Sequence, residues 1–82
     1  MNSREDIENS LAGIIGDLIG IAPGQVDRAA RFDVLGLDSA AIVSVAIDLS
    51  EELGMDIDPV DLMEQFTIRG VSAIIASDQP AS

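Results

Sequence analysis

The sequence LGLDSAAIVSVAIDLSEELG occupies positions 35–54 of the chain. Asp38 and Ser39 are both residue types that cap the first turn of a helix, and Gly54 suits the left-handed conformation in which many helices end. The residues between these caps do not alternate between apolar and polar as a half-buried strand would. We therefore predict a helix that begins around Asp38 or Ser39 and runs to about Leu53.

This predicted helix is apolar on two sides. Its main stripe has helical spacing and consists of Ile42, Val45, Ala46, Leu49 and Leu53. A second stripe, offset from the first, consists of Ala40, Val43 and Ile47. A helix of this kind is either sandwiched between other elements or left partly exposed for a partner. Spacing alone leaves both interpretations of the second stripe open.

Upstream, the pattern predicts a first helix followed by a long loop. Ser3 and Asp6 resemble a capping box. The apolar residues that follow recur at spacings of three and four, and they are Ile7, Leu11, Ile14, Ile15, Leu18 and Ile19. Gly20 is expected to end this helix. Positions 21–37 have no helical period, so we expect an ordered loop whose apolar residues turn inward, namely Val26, Phe32, Val34 and Leu35.

Downstream, two further helices are predicted. Asp58 and Pro59 suit the cap and first position of a short third helix that passes through Leu62 and Met63 toward Phe66. Thr67 is expected to cap a fourth helix, whose inward-facing residues are Ile68, Val71, Ile74 and Ile75. The expected fold class is therefore all-α, a four-helix bundle with three longer helices and one short third helix. We expect one domain over residues 1–82, with its core at about 4–76 and a flexible tail or linker at 77–82.

Composition limits the chemistry of this chain. It has no cysteine and no histidine, so the best protein nucleophile and the commonest general base are both missing. Catalytic residues and a metal site are therefore not expected. Fifteen acids against four bases give a net charge of −11, which repels nucleic acids and anionic membranes and favours a protein partner with a basic surface. The polar N-terminus and the lack of a membrane-length apolar run predict a cytoplasmic location.

One motif points to a particular family. Leu35-Gly36-Leu37-Asp38-Ser39, followed by the predicted helix and its acidic end, resembles the motif of acyl carrier proteins and other phosphopantetheine-dependent carrier proteins. The resemblance covers nearly the whole chain, because it also includes the long first loop, Ile57-Asp58-Pro59 and Thr67-Ile68-Arg69. In that family an Asp-Ser pair opens the second helix of a four-helix bundle, and the serine bears 4′-phosphopantetheine.

The resemblance implies a site and a set of partners. Ser39 would receive the phosphopantetheine arm from coenzyme A through a Mg²⁺-dependent phosphopantetheinyl transferase, and Asp38 would present the serine or approach that metal. The chain would then hold acyl groups as thioesters without being an enzyme itself. Docking onto partner enzymes would use the residues after the serine and one flank of the second helix, namely Leu37, Ala40, Val43 and Ile47. Three acids would add electrostatic guidance, namely Asp48, Glu51 and Glu52.

Physical chemistry agrees with a phosphate ester at this serine. The start of a helix offers unsatisfied N–H donors and the positive end of the helix dipole, which favour an attached phosphodiester. Ser39 is expected to be a substrate and not a nucleophile, because neither a histidine nor a lysine is available to activate it.

Within the family, the sequence departs from the usual pattern at a few positions. Ala40 stands where a larger Leu or Met usually follows the serine, and Ser44 and Ser50 stand where carriers of fatty-acid synthesis tend to have acids. The Leu-Gly-Leu-Asp-Ser form resembles polyketide-type carriers. We therefore expect a monomeric carrier of polyketide or related specialised biosynthesis, loaded by an acyltransferase or an adenylating enzyme and serving a ketosynthase or another synthase enzyme. An aminoacyl or peptidyl cargo, and a fatty-acid role, stay open.

Two alternatives lie outside the carrier family. The first is an unmodified acidic helical module that binds a basic protein and uses Ser39 only as a helix cap. The second is a calcium loop at Asp56, Asp58 and Asp61, which is disfavoured because Pro59 interrupts it and no glycine sits at the sharp turn. Met1 and the complete helix set favour a discrete protein over a segment of a megasynthase.

Overall fold

The computed structural model describes residues 3–78 of the chain. Within that range there are four α-helices and no strands. The helices are α1 (Arg4–Ile19), α2 (Ser39–Leu53), α3 (Pro59–Gln65) and α4 (Ile68–Asp78), and a short 3-10 helix spans Pro23–Gln25. The predicted all-α bundle with a short third helix is confirmed. No helix in this part of the chain is long and apolar enough to cross a bilayer.

Local capping chemistry sets the bounds of α1 as the sequence predicts. The amide of Asp6 donates to Ser3 Oγ at 3.1 Å, and the amide of Ser3 donates to Asp6 Oδ2 at 3.3 Å, which completes the capping box. Gly20 ends the helix at φ 79°, a left-handed conformation that glycine adopts without a steric penalty.

The caps of α3 and α4 also match the prediction. The amide of Val60 donates to Asp58 Oδ1 at 2.9 Å, and the amide of Gly70 donates to Thr67 Oγ1 at 3.0 Å. The end of α4 differs, because the helix continues to Asp78 and so includes the first two positions of the predicted tail. The other four predicted tail positions, 79–82, lie outside the described residues.

The core is almost wholly aliphatic and lies where α1 packs against α2 and α4. Phe32 is the exception, since its ring is 1% exposed although it comes from the loop. The buried apolar residues of the helices are Ile7, Leu11, Ala12, Ile15, Ile42, Val45, Ala46, Leu49, Leu62, Ile68, Val71 and Ile75. Each large side chain buried in this way contributes about 1.5–3 kcal/mol to folding.

The apolar face predicted for α1 is not buried along its whole length, since Leu18 is 48% exposed. The prediction that Val34 turns inward is wrong. Val34 is 75% exposed, because the loop makes a tight turn there, in which the amide of Gly36 donates to the Asp33 carbonyl at 3.1 Å. That turn buries Phe32 and points Val34 away from the core.

The loop between α1 and α2 is ordered, as predicted, and two hydrogen bonds hold it in place. The amide of Phe32 donates to the carbonyl of Phe66 at 2.7 Å, and the amide of Arg69 donates to the carbonyl of Arg28 at 3.1 Å. Because these bonds join the loop to the α3–α4 junction, the segment that leads into α2 has a defined position. Val26 and Phe32 are buried beneath it, and Leu35 is packed against the core.

Candidate functional site

Ser39 is the first residue of α2, and its side chain is exposed. Asp38 caps the helix in front of it, because the amide of Ala41 donates to Asp38 Oδ1 at 2.8 Å. With the cap made by Asp38, the Ser39 hydroxyl is not needed for capping, and no hydrogen bond of that hydroxyl is found among residues 3–78. The serine at this helix start is therefore accessible to another molecule.

The turn before Ser39 determines how the serine is presented. Gly36 has φ 91°, a conformation that side-chain-bearing residues rarely adopt. The next residue, Leu37, is only 6% exposed, and its amide donates to the carbonyl of Phe32 at 2.9 Å. The structure thus gives Leu37 a packing role that anchors the loop, whereas the family resemblance implies a docking residue at this position.

A cleft of about 410 Å³ lies beside Ser39. Its walls come from the loop, from the start of α2 and from the end of α3, and they consist of Asp33, Leu37, Asp38, Ser39, Ile42, Met63 and Phe66. Met63 and Phe66 had been predicted only as members of the third helix. Nothing in the sequence marks them as neighbours of the serine, although Phe66 is one of only two aromatic residues in the chain.

Phe66 has an unusual backbone. It ends α3 with φ 61°, and it is the one residue other than glycine with positive φ among the described residues. Phe66 is 42% exposed, and the guanidinium of Arg31 lies over its ring at 5.2 Å from the ring centroid. A bulky side chain in this conformation costs about 1–3 kcal/mol and often accompanies a functional site.

The two apolar stripes of α2 have different environments. The main stripe is in the core, with Leu53 at its edge. The second stripe is exposed, with Val43 at 39% and Ile47 at 55%, and Ala40 is exposed as well. Packing of the second stripe inside the domain is therefore ruled out, and its role in docking stays a prediction.

The acids near the end of α2 are also exposed. Asp48, Glu51 and Glu52 face solvent, and none of them forms an ion pair within residues 3–78.

Of the three carboxylates considered for calcium, Asp58 instead caps α3. In the part of the chain that the structure describes, no group of three or more acidic side chains could hold a metal ion.

Comparison with known proteins identifies the family. The sequence profile named phosphopantetheine attachment site matches residues 9–75, which is most of the chain. The chain belongs to this family. The carrier is 33% identical to the acyl carrier protein of Thermotoga maritima over 76 residues, an alignment that covers 92% of this chain and 94% of that protein.

The carrier is also similar to part of a polyketide synthase in sequence and to a solved carrier structure in fold. It is 30% identical over 81 residues to a phenolphthiocerol/phthiocerol polyketide synthase of Mycobacterium tuberculosis, covering 99% of this chain and 4% of that protein. Its fold matches a free-standing peptidyl carrier protein of Acinetobacter baumannii with a TM-score of 0.84 at 21% identity, covering 93% of this chain and 95% of that one. At that identity the match concerns the fold alone.

The family establishes a carrier that bears covalent 4′-phosphopantetheine, and the unmodified interaction module is not favoured. The residues present fit the group, because an exposed serine opens α2 and a cleft with apolar walls lies beside it. The bound arm supplies the thiol that the chain, without cysteine, lacks. What the protein contributes is attachment, position and a surface for partner enzymes.

Proposed function

We propose that this carrier holds acyl intermediates on an arm attached at Ser39 and delivers them to enzymes of polyketide or related specialised biosynthesis in the cytoplasm. The observation that supports this assignment is the position of Ser39, which is exposed at the start of α2 and next to a cleft. The helix cap is made by Asp38, so the Ser39 hydroxyl is not needed for it. Ser50 of α2 forms two hydrogen bonds, and Ser72 of α4 is fully buried. Ser44 is exposed like Ser39, but it lies inside α2 and not at the start of the helix.

Asp38 has a second role in this proposal. Its Oδ1 accepts the hydrogen bond from Ala41 at 2.8 Å, while Oδ2 has no partner among residues 3–78. An exposed carboxylate oxygen next to the serine suits the approach of a Mg²⁺ ion held by a phosphopantetheinyl transferase, because Mg²⁺ prefers oxygen ligands. Asp38 would thus both hold the helix start and help the transferase reach Ser39.

Partner enzymes would dock on the second stripe of α2. Ala40, Val43 and Ile47 present apolar side chains to solvent along one flank, starting next to Ser39. Exposed Glu51 and Glu52 lie in the last turn of α2, where the negative end of the helix dipole makes acids unfavourable for the helix itself. Together with Asp48 they suit a basic partner surface better than they suit the stability of α2.

The assignment to polyketide or related metabolism is supported by two features. The chain retains the Leu-Gly-Leu-Asp-Ser form of the motif, and nearly all of it aligns with a small part of a polyketide synthase. The partners in this proposal are a phosphopantetheinyl transferase, an acyltransferase or adenylating loading enzyme, and a ketosynthase or other synthase enzyme. The carrier would meet them as a monomer.

Attachment can be tested by incubating the apo protein with coenzyme A, Mg²⁺ and a broad-specificity phosphopantetheinyl transferase, followed by intact mass measurement. The wild type should gain one phosphopantetheine, and Ser39→Ala should gain none. Ser44→Ala is the matched control, because Ser44 is an exposed serine on the same helix, and this variant should be modified like the wild type. The assignment is wrong if the wild type gains no adduct or if Ser39→Ala keeps it.

A further inference from the structure

The Arg31 guanidinium contacts two side chains that line the cleft beside Ser39. One of its nitrogens, Nη2, lies 3.2 Å from Asp33 Oδ2, and the group lies over the Phe66 ring at 5.2 Å from its centroid. Asp33 and Phe66 are walls of the same cleft as Ser39. A cation is thus held at the edge of the space into which an arm on Ser39 would extend.

The charge of the arm makes this position significant. A phosphodiester on Ser39 adds a negative charge next to Asp38 and near Asp33, in a chain whose net charge is already −11. The start of α2 provides partial compensation, but the amide of Ala41 is already engaged by Asp38. A nearby positive side chain would relieve the repulsion that remains.

Few other side chains could provide this charge. The sequence has four basic residues, and all are arginines. Arg4 and Arg28 both pair with Glu8 on α1, at 3.4 Å and 3.5 Å. Arg69 forms no ion pair among residues 3–78. Arg31 is the arginine of that range whose guanidinium contacts two walls of the cleft.

The geometry of Arg31 leaves donors available for a phosphate. A guanidinium has five N–H donors in one plane, and stacking on an aromatic ring uses its face and not these donors. Asp33 engages one nitrogen. The backbone that carries this ring is itself held in place, because the carbonyl of Phe66 accepts the 2.7 Å hydrogen bond from Phe32. Phe66 therefore orients the guanidinium without consuming its hydrogen-bonding capacity.

We propose that Arg31 binds the phosphate of the arm attached at Ser39 and so positions the first part of the arm against the cleft. Arg31 is a positioning residue in this scheme and takes no part in acyl transfer. The proposal rests on Ser39 as the attachment point. No bond is made or broken by Arg31, since the interaction is an ion pair with hydrogen bonds.

The test compares apo and holo forms of three proteins, namely the wild type, Arg31→Gln and Arg4→Gln. Arg4→Gln is the matched control, because it removes the same charge from an exposed arginine on α1 that contacts no cleft residue. Intact mass first establishes that each protein carries the arm. Denaturant unfolding then gives the change in the folding equilibrium constant caused by attaching the arm, and ³¹P NMR gives the chemical shift of the phosphodiester.

Attaching the arm changes the folding equilibrium constant of each protein by some factor. That factor should be about two- to fivefold more favourable in the wild type and in Arg4→Gln than in Arg31→Gln, as expected for a solvent-exposed ion pair. This difference should shrink at high salt. The ³¹P shift should move in Arg31→Gln and stay at the wild-type value in Arg4→Gln. Equal effects of the arm in all three proteins, with an unchanged ³¹P shift, would overturn the role of Arg31. A wild type that gains no arm overturns the attachment proposal itself, which the mass measurement shows separately.

Discussion

The amide of Phe32 donates a 2.7 Å hydrogen bond to the carbonyl of Phe66. These two residues are the only aromatics in the chain, yet they have different environments, since Phe32 is 1% exposed and Phe66 is 42% exposed. Phe32 anchors the loop in the core, and Phe66 presents its ring to the cleft beside Ser39. The hydrogen bond therefore connects the folding of the loop to the shape of the site.

The first prediction concerns the second stripe of α2. Val43→Asp and Ile47→Asp should each impair acyl transfer from a partner synthase enzyme by at least about tenfold, because each places a charge in an apolar contact and leaves it without a counter-charge. Both side chains are exposed, so the helical circular dichroism should stay unchanged. Transfer is measured with the holo protein and followed by intact mass.

Ser44→Asp is the control for that prediction, because it adds the same charge at an exposed position of α2 outside the stripe. It should transfer more like the wild type than the two stripe variants do. If all three variants lose transfer equally, added negative charge is responsible and the apolar stripe is not the docking surface.

The second prediction separates the two roles of Asp38. Asp38→Ala removes the cap on the Ala41 amide and should lower the free energy of unfolding by about 0.5–2 kcal/mol. Asp38→Asn keeps a capping oxygen, so its stability should stay within a few tenths of a kcal/mol of the wild type. Both variants should be modified more slowly by the transferase, because both lack the carboxylate. An Asn variant modified at the wild-type rate would limit Asp38 to capping.

The third prediction uses two glycines of α1. A Cβ at Gly16 would lie 2.7 Å from the carbonyl oxygen of Ile21, whereas a Cβ at Gly13 would have no neighbouring atom within 4 Å. Gly13→Ala should therefore raise the free energy of unfolding by about 0.5–1 kcal/mol, the usual gain for alanine in a helix. Gly16→Ala should lower it, because backbone atoms must move apart. Urea denaturation of the two variants measures both effects, and a stabilised Gly16→Ala would contradict the close packing of α1 on the loop.

The fourth prediction contrasts two helix serines. The Ser72 hydroxyl is fully buried and has no hydrogen-bond partner among residues 3–78, so Ser72→Ala should raise the free energy of unfolding by about 1 kcal/mol. The Ser50 hydroxyl donates to the Ala46 carbonyl at 2.8 Å and accepts from the Ile57 amide at 3.0 Å. Ser50→Ala should lower the free energy of unfolding by about 1–3 kcal/mol, since it leaves the amide of Ile57 without its acceptor. Thermal and urea denaturation of the two variants measure whether their free energies of unfolding change in opposite directions.

Helix bounds were largely predictable because caps are local. Asp38, Asp58 and Gly54 form hydrogen bonds with amides and carbonyls only a few residues away. A short stretch of sequence is therefore enough to predict each cap. Val34 and Leu37 were not predictable in the same way. Their burial depends on the direction of a turn, which places Val34 in solvent and Leu37 in the core.

The sequence by itself determined the four helices, the Asp38–Ser39 motif and the two-sided character of α2, because each follows from residue type and local spacing. Tertiary structure alone decided which stripe is exposed and what surrounds Ser39. Arg31, Met63 and Phe66 lie apart from the serine in sequence, and they come together near it only when α3 and the loop pack beside the start of α2. The proposed attachment residue is therefore encoded locally, whereas its surroundings depend on contacts between distant segments.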